Sequence, residues 1–148
     1  MFDKICIIGC GLIGSSLARV IKKKDLSKQI NVFDKSKEVL SFAKKNLSVI
    51  ASNNINETVK NSDLVIISTP LSSYKEILLS IKNNLKNNVI LTDTGSAKKE
   101  VNTIINNLNL KHVNWIASHP IAGTEFSGPE AGFAELFEKR WCILSADK

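Results

Sequence analysis

Two stretches of this chain carry residues whose types and spacing can do chemistry. The first is "ASHPIAGTEFSGPEAG" (117–132), which holds His119, one of two histidines. A neutral imidazole near pH 7 suits removal of a hydroxyl proton while hydride leaves the same carbon. Standing before Pro120, the same side chain can equally shape a turn, and from the residues alone the two readings stand level. The second stretch is "TDTGSAKKE" (92–100). Ser96 is placed to cap a following helix, or to turn its hydroxyl toward a reaction site. The other histidine, His112, falls just before a strand and reads as surface at the far end of the sheet. Cys6 and Cys10 read as small buried packers with no histidine neighbour to activate them.

A third stretch can hold phosphates. "GCGLIG" (9–14) is G-x-G-x-x-G, a weak signal alone. Here it joins an apolar run to a helical pattern, and Asp34 ends a second apolar run twenty residues after Gly14. That context is what a dinucleotide-binding turn requires. Gly9 allows the tight turn, Gly11 lets the backbone approach a pyrophosphate, and Gly14 lets the helix pack closely on the strand. The helix then presents its first N–H groups, at Leu12 and Ile13, to the phosphates. Asp34 accepts hydrogen bonds from ribose hydroxyls and repels an added phosphate, which favours NAD over NADP. Lys35 and Lys37 soften that preference. "STPLSS" (68–73) follows a further strand and places Thr69 and Pro70 where such a sheet binds its ligand. A chance glycine cluster, with Pro70 merely ending the strand, is the alternative.

These residues need a scaffold, and the pattern supplies one. Strands are expected at 4–9, 30–34, 47–52, 63–69, 88–93, 114–118 and 140–145. Helices are expected at 12–24, 37–46, 55–61, 74–85, 97–108 and around 130–138. Strict alternation predicts an α/β fold, a doubly wound, mostly parallel Rossmann sheet with helices on both faces. Strand C-termini line the ligand crevice of such a sheet, which puts the glycine turn, Thr69, Ser96 and His119 at one edge.

Composition closes off several classes. The chain has 148 residues, one domain's worth, with a net charge of +6 carried almost wholly by scattered lysines. No aromatic residues interleave those lysines, which argues against nucleic acid as a partner. "KKK" (22–24) falls where a first helix should end and suits its dipole. No apolar run approaches the ~18 residues of a membrane span. An odd number of cysteines without CxxC spacing points to reduced thiols and a cytoplasmic location, and no metal-ligand cluster is visible.

"IIGCGLIGSSLA", "STP", "DTGSAK" and "HPIAGTEFSGPEAGFAELFEKRWCIL" together resemble the prephenate dehydrogenase family, including arogenate and cyclohexadienyl dehydrogenases. The resemblance runs over essentially the whole chain, and the last segment is its most specific part. It implies NAD-dependent oxidative decarboxylation of prephenate to 4-hydroxyphenylpyruvate, or of arogenate to tyrosine, in tyrosine biosynthesis. It also implies that His119 is the catalytic base, that Ser96 contacts both substrate and His119, and that Thr124 and Glu125 lie near substrate and nicotinamide. Members of the family continue into a helical C-terminal domain that forms a homodimer and supplies the arginine gripping the substrate carboxylate. The expectation is therefore a nucleotide-binding half, weakly active or inactive alone. Arg19 is expected along the first helix, and Arg140 at the wrong end of the last strand to serve as that clamp. Two rivals remain: another Rossmann hydroxyacid oxidoreductase, and a non-catalytic NAD-binding module.

Overall fold

The computed structural model describes residues 1–146. Apolar, β-branched runs alternate with amphipathic ones, and each becomes the element its period dictates. In chain order these are β1 (Phe2–Ile8), α1 (Leu12–Lys23), β2 (Ser27–Phe33), α2 (Lys37–Asn46), β3 (Ile50–Ser52), α3 (Ile55–Val59) and β4 (Leu64–Ile67). Then follow α4 (Tyr74–Ile81), β5 (Val89–Asp93), α5 (Lys98–Leu108), β6 (Val113–Pro120) and β7 (Cys142–Ala146). The strands form one sheet in the order β3-β2-β1-β4-β5-β6-β7. The first six run parallel, and β7 runs antiparallel to β6.

Both faces of the central strands are buried, so successive residues of those strands serve opposite cores. Ile5 and Ile7 pack with Ala18 and Ile21 of α1 and Leu40 and Ala43 of α2. Cys6 and Ile8 pack with Tyr74, Leu78 and Ile81 of α4 and Val101 and Ile105 of α5. Crossovers leave in opposite directions from β1 and β4, which are neighbours, and this opens a crevice at their carboxyl ends. Local chemistry sets the helix ends. Ser36 caps α2 by accepting from the Val39 N–H at 3.2 Å, and Asn54 caps α3 by accepting from the Glu57 N–H at 3.3 Å. Lys22 and Lys23 sit in the last turn of α1, where cations complement the dipole.

Some expectations need correcting. The helix expected around 130–138 is only a 3-10 turn, Ala134–Phe137. Pro129 and Gly132 precede it, Phe133 is extended, and Lys139 takes a left-handed φ of 55°, so no regular helix can run there. The strand expected from 47 starts only at Ile50, because Ser48 has a φ of 53° and turns the chain. Ser96 does not cap α5; Ala97 holds that position and makes no side-chain bond. His119 and Pro120 do not shape a turn, since β6 runs through both and His119 pairs with Ile143 of β7.

Candidate active site

In the glycine turn between β1 and α1, two glycines are crowded and one faces open space. Gly9 has a φ of +92°, and a Cβ there would lie 2.6 Å from the Ser68 carbonyl oxygen. A Cβ on Gly14 would lie 2.0 Å from the Gly9 carbonyl oxygen, so the helix can sit this close only with glycine. A Cβ on Gly11 would meet nothing within 4 Å. That open space lies directly before α1, whose first turn holds no acidic residue and no side-chain cap. The first ladder bond runs from the Ser15 N–H to the Gly11 carbonyl at 2.9 Å. The N–H groups of Leu12 and Ile13 thus have no intrahelical acceptor, and they form the positive end of the helix dipole.

Asp34 follows β2 immediately. Its Oδ2 accepts the Cys10 N–H at 2.9 Å and its Oδ1 accepts the Ser36 N–H at 2.9 Å, which pins the carboxylate beside the glycine turn. A cavity of about 280 Å³ opens there, lined by Gly9, Gly11, Asp34, Thr69 and Pro70 among others. Thr69 Oγ1 is buried and finds no hydrogen-bond partner among the described residues. Leaving such a hydroxyl unpaired costs about 1–3 kcal/mol, so it is a position where a ligand can be recognised. An anion cradle, a pinned carboxylate and an orphaned hydroxyl in one cavity fit a nucleotide with phosphates and ribose hydroxyls. A larger depression of about 690 Å³ lies along α5 and β6, but asparagines and apolar residues dominate its wall and Lys111 is the one charged group among the described residues lining it.

Ser96 and His119 flank a feature that the sequence reading missed. Asp93, the last residue of β5, is fully buried. Its carboxylate accepts from Lys98 Nζ at 2.6 and 2.5 Å, from the Gly95 N–H at 3.1 Å, from the Ser118 N–H at 3.2 Å and from the Tyr74 hydroxyl at 3.3 Å. Burial first, and the Asp93 charge second, push the Tyr74 phenol well above its ordinary range, so it remains a donor. One buried carboxylate therefore ties the residue before Ser96 to the residue before His119. The signal was present in "TDTGSAK": an acid ending an apolar strand, with a lysine just inside the next helix. The Ser96 side chain is exposed and that of His119 half-buried, and neither makes a hydrogen bond among the described residues.

Thr124 and Glu125 are exposed, on the loop after β6, where Thr124 Oγ1 accepts the Phe126 N–H at 3.2 Å. No hydrogen bond joins them to His119 among the described residues. The same loop returns to α1. Arg19 donates to the Pro129 carbonyl at 3.2 Å, the Phe133 N–H donates to Ser16 Oγ at 3.1 Å, and a Cβ on Gly132 would lie 2.1 Å from Ser15 Oγ. Arg19 is thereby committed to the loop. Arg140 requires a correction: because β7 is antiparallel and Cys142 pairs with Pro120, Arg140 stands at the carboxyl edge. There it lines a cavity of about 320 Å³ with Thr94, Ser118 and Trp141.

Cys6 and Cys10 are buried and Cys142 is exposed; all are free thiols. Burial pushes the Cys6 and Cys10 thiols up to about 12. Among the described residues no cluster of three or more His, Cys, Asp or Glu could hold a metal, and no helix is long and apolar enough to cross a membrane.

Known proteins share this architecture. The family of the prephenate dehydrogenase nucleotide-binding domain matches residues 17–148, a span that begins just after the glycine turn. A cyclohexadienyl dehydrogenase of Zymomonas mobilis is 39% identical, over 99% of this chain and 50% of its own. A prephenate dehydrogenase of Lactococcus lactis is 35% identical, over 97% of this chain and 41% of its own. The crystal structure of prephenate dehydrogenase from Aquifex aeolicus, in complex with hydroxyphenyl propionate and NAD+, superposes with a TM-score of 0.89 at 29% identity. It is matched by 100% of this chain, which covers 52% of that one. The chain thus spans half or less of the length of these curated relatives. With this sheet order, this glycine turn and these relatives, the chain belongs to the prephenate dehydrogenase nucleotide-binding domain family.

Proposed function

We propose that this chain is the nucleotide-binding half of an NAD-dependent prephenate or arogenate dehydrogenase. One observation supports the reading: the glycine turn, Asp34, Thr69, Ser96 and His119 all stand at the carboxyl ends of the parallel strands of one sheet. The N–H groups of Leu12 and Ile13 meet the pyrophosphate, Asp34 accepts from the adenosine ribose, and Thr69 and Pro70 line the cofactor's path. NAD+, when bound, supplies the hydride acceptor. His119 takes the proton of the ring hydroxyl as the hydride leaves that carbon, with Ser96 holding the substrate oxygen and the imidazole together. Carbon dioxide then departs because the ring becomes aromatic, and the imidazolium returns its proton to the phenolate oxygen. Thr124 and Glu125, on the loop that follows, stand near substrate and nicotinamide.

The relatives carry as much chain again, so the activity is proposed for the whole enzyme, as a cytoplasmic homodimer acting on a small molecule and not on nucleic acid. In that whole enzyme, a C-terminal half like the one the relatives' extra length leaves room for is proposed to supply the carboxylate clamp and the dimer contacts. The test is calorimetry of NAD+ and NADP+ on the wild type and on Asp34→Ala. Selective NAD+ binding that Asp34→Ala weakens supports the assignment; preferred NADP+ binding with no response to the substitution ends it. Turnover of prephenate after a relative's C-terminal half is supplied, lost in His119→Asn, separates a dehydrogenase from an idle binding module.

A further inference from the structure

The following inference rests on the nucleotide reading above and deepens it. The cavity beside Asp34 is also lined by Lys35, Ser73 and Ile77. Lys35 is the one cation among those lining residues, and it is the group best placed to meet a phosphate on the ribose. It is not free to do so. Its Nζ lies 3.3 Å from each carboxylate oxygen of Glu76, which sits in α4 between Ser73 and Ile77. The pair therefore crosses from the turn after β2 to α4 at the rim of the cavity. Lys37, the other nearby cation, lines a separate depression with Ala51 and Ser52.

We infer that Glu76 is a second determinant of nucleotide choice: it engages Lys35 and adds a negative charge across the cavity rim from Asp34. A ribose hydroxyl is neutral and indifferent to this charge. A ribose phosphate carries a charge of about −1.5 to −2 and must compete with Glu76 for Lys35 while facing two carboxylates. The side chains of Lys35 and Glu76 are 65% and 70% exposed, so such a pair shifts an equilibrium by no more than about fivefold. Removing the repulsion adds to that, and the summed effect is about three- to tenfold. Asp34, pinned by two N–H groups, carries the larger share of the discrimination.

The experiment is competition calorimetry of NADP+ against bound NAD+ on the 148-residue chain. It compares the wild type, Glu76→Gln, Lys35→Met and the double variant, each checked for an unchanged melting temperature. Glu76→Gln is expected to tighten NADP+ about three- to tenfold and to alter NAD+ less than about twofold. The gain is expected to fall in the double variant, where only the repulsion is left to remove, and to shrink in high salt. An NADP+/NAD+ ratio in Glu76→Gln within twofold of wild type overturns the inference, as does a gain that Lys35→Met leaves undiminished. Wild type that binds neither nucleotide defeats the nucleotide reading itself, a result distinct from normal NAD+ binding with an unmoved ratio.

Discussion

Replacing Asp93 with asparagine tests the hub beneath the site. The substitution keeps the shape and exchanges one acceptor oxygen for an NH2 donor. Wherever that NH2 settles, it faces a donor: the Ser118 N–H on one side, the Gly95 N–H and Tyr74 hydroxyl on the other. The Ser118 N–H, which is buried, or the Gly95 N–H, which is part-buried, loses its partner, at a cost of about 1–3 kcal/mol. Lys98 also loses its counter-charge; removing one partner of a buried pair costs about 3–5 kcal/mol, and less here because its side chain is 24% exposed and can turn to water. A net loss of about 3 kcal/mol follows, which for a chain of this size lowers the melting temperature by roughly 6–12 °C. Lys98→Met should cost as much or more, since it strands a fully buried carboxylate. The double variant should cost less than the sum of the two, because the groups are coupled. Urea unfolding measures all three, and amide exchange at Gly95 and Ser118 locates the loosening. A change under about 0.5 kcal/mol in Asp93→Asn, the range of ordinary surface substitutions, refutes the reasoning.

Gly14→Ala drives a methyl group into the Gly9 backbone at 2.0 Å, so it should destabilise by about 3 kcal/mol or more and weaken nucleotide binding; unfolding and calorimetry check both effects. Alkylation by iodoacetamide should label exposed Cys142 quickly and Cys6 and Cys10 only on unfolding, because burial holds those two thiols near pKa 12; mass spectrometry reads the order. The Asp63 carboxyl is held below its ordinary value, chiefly by its hydrogen bond from Lys86 and next by the Lys4 N–H. Its stabilising contribution is thus complete above the unfolded value of about 3.9 and is lost as pH falls through the lower folded value. The stability gap between wild type and Asp63→Asn should therefore narrow only below about pH 4, as melting curves against pH would show.

Much of the architecture was legible in the chain because it is written in local terms. Period-2 and period-3.6 patterns set the elements, Gly9, Gly11 and Gly14 marked the tight turn from β1 into α1, and spacing put Asp34 at the end of β2. The reading failed where long-range contacts override local preference. The cap alternative for Ser96 is set aside because the turn before α5 wraps around a carboxylate that also binds Ser118, twenty-five residues away. Arg140 was set at the wrong end because no local pattern tells whether a last strand enters parallel or antiparallel; its pairing with β6 decides that. The segment 121–133 offers no period at all, and its course is set by Arg19, Ser16 and the bare surface of Gly132.

By itself the sequence determined a doubly wound sheet and the position of its glycine turn, and it named the small set of residues proposed for the chemistry there. Each of these follows from interactions within a few residues of the chain. Only the tertiary structure decided that Lys35 is held by Glu76, that the Thr69 hydroxyl has no partner among the described residues and that Asp93 joins the Ser96 and His119 segments. Those outcomes depend on groups far apart in sequence whose hydrogen bonds exist only after the sheet has assembled.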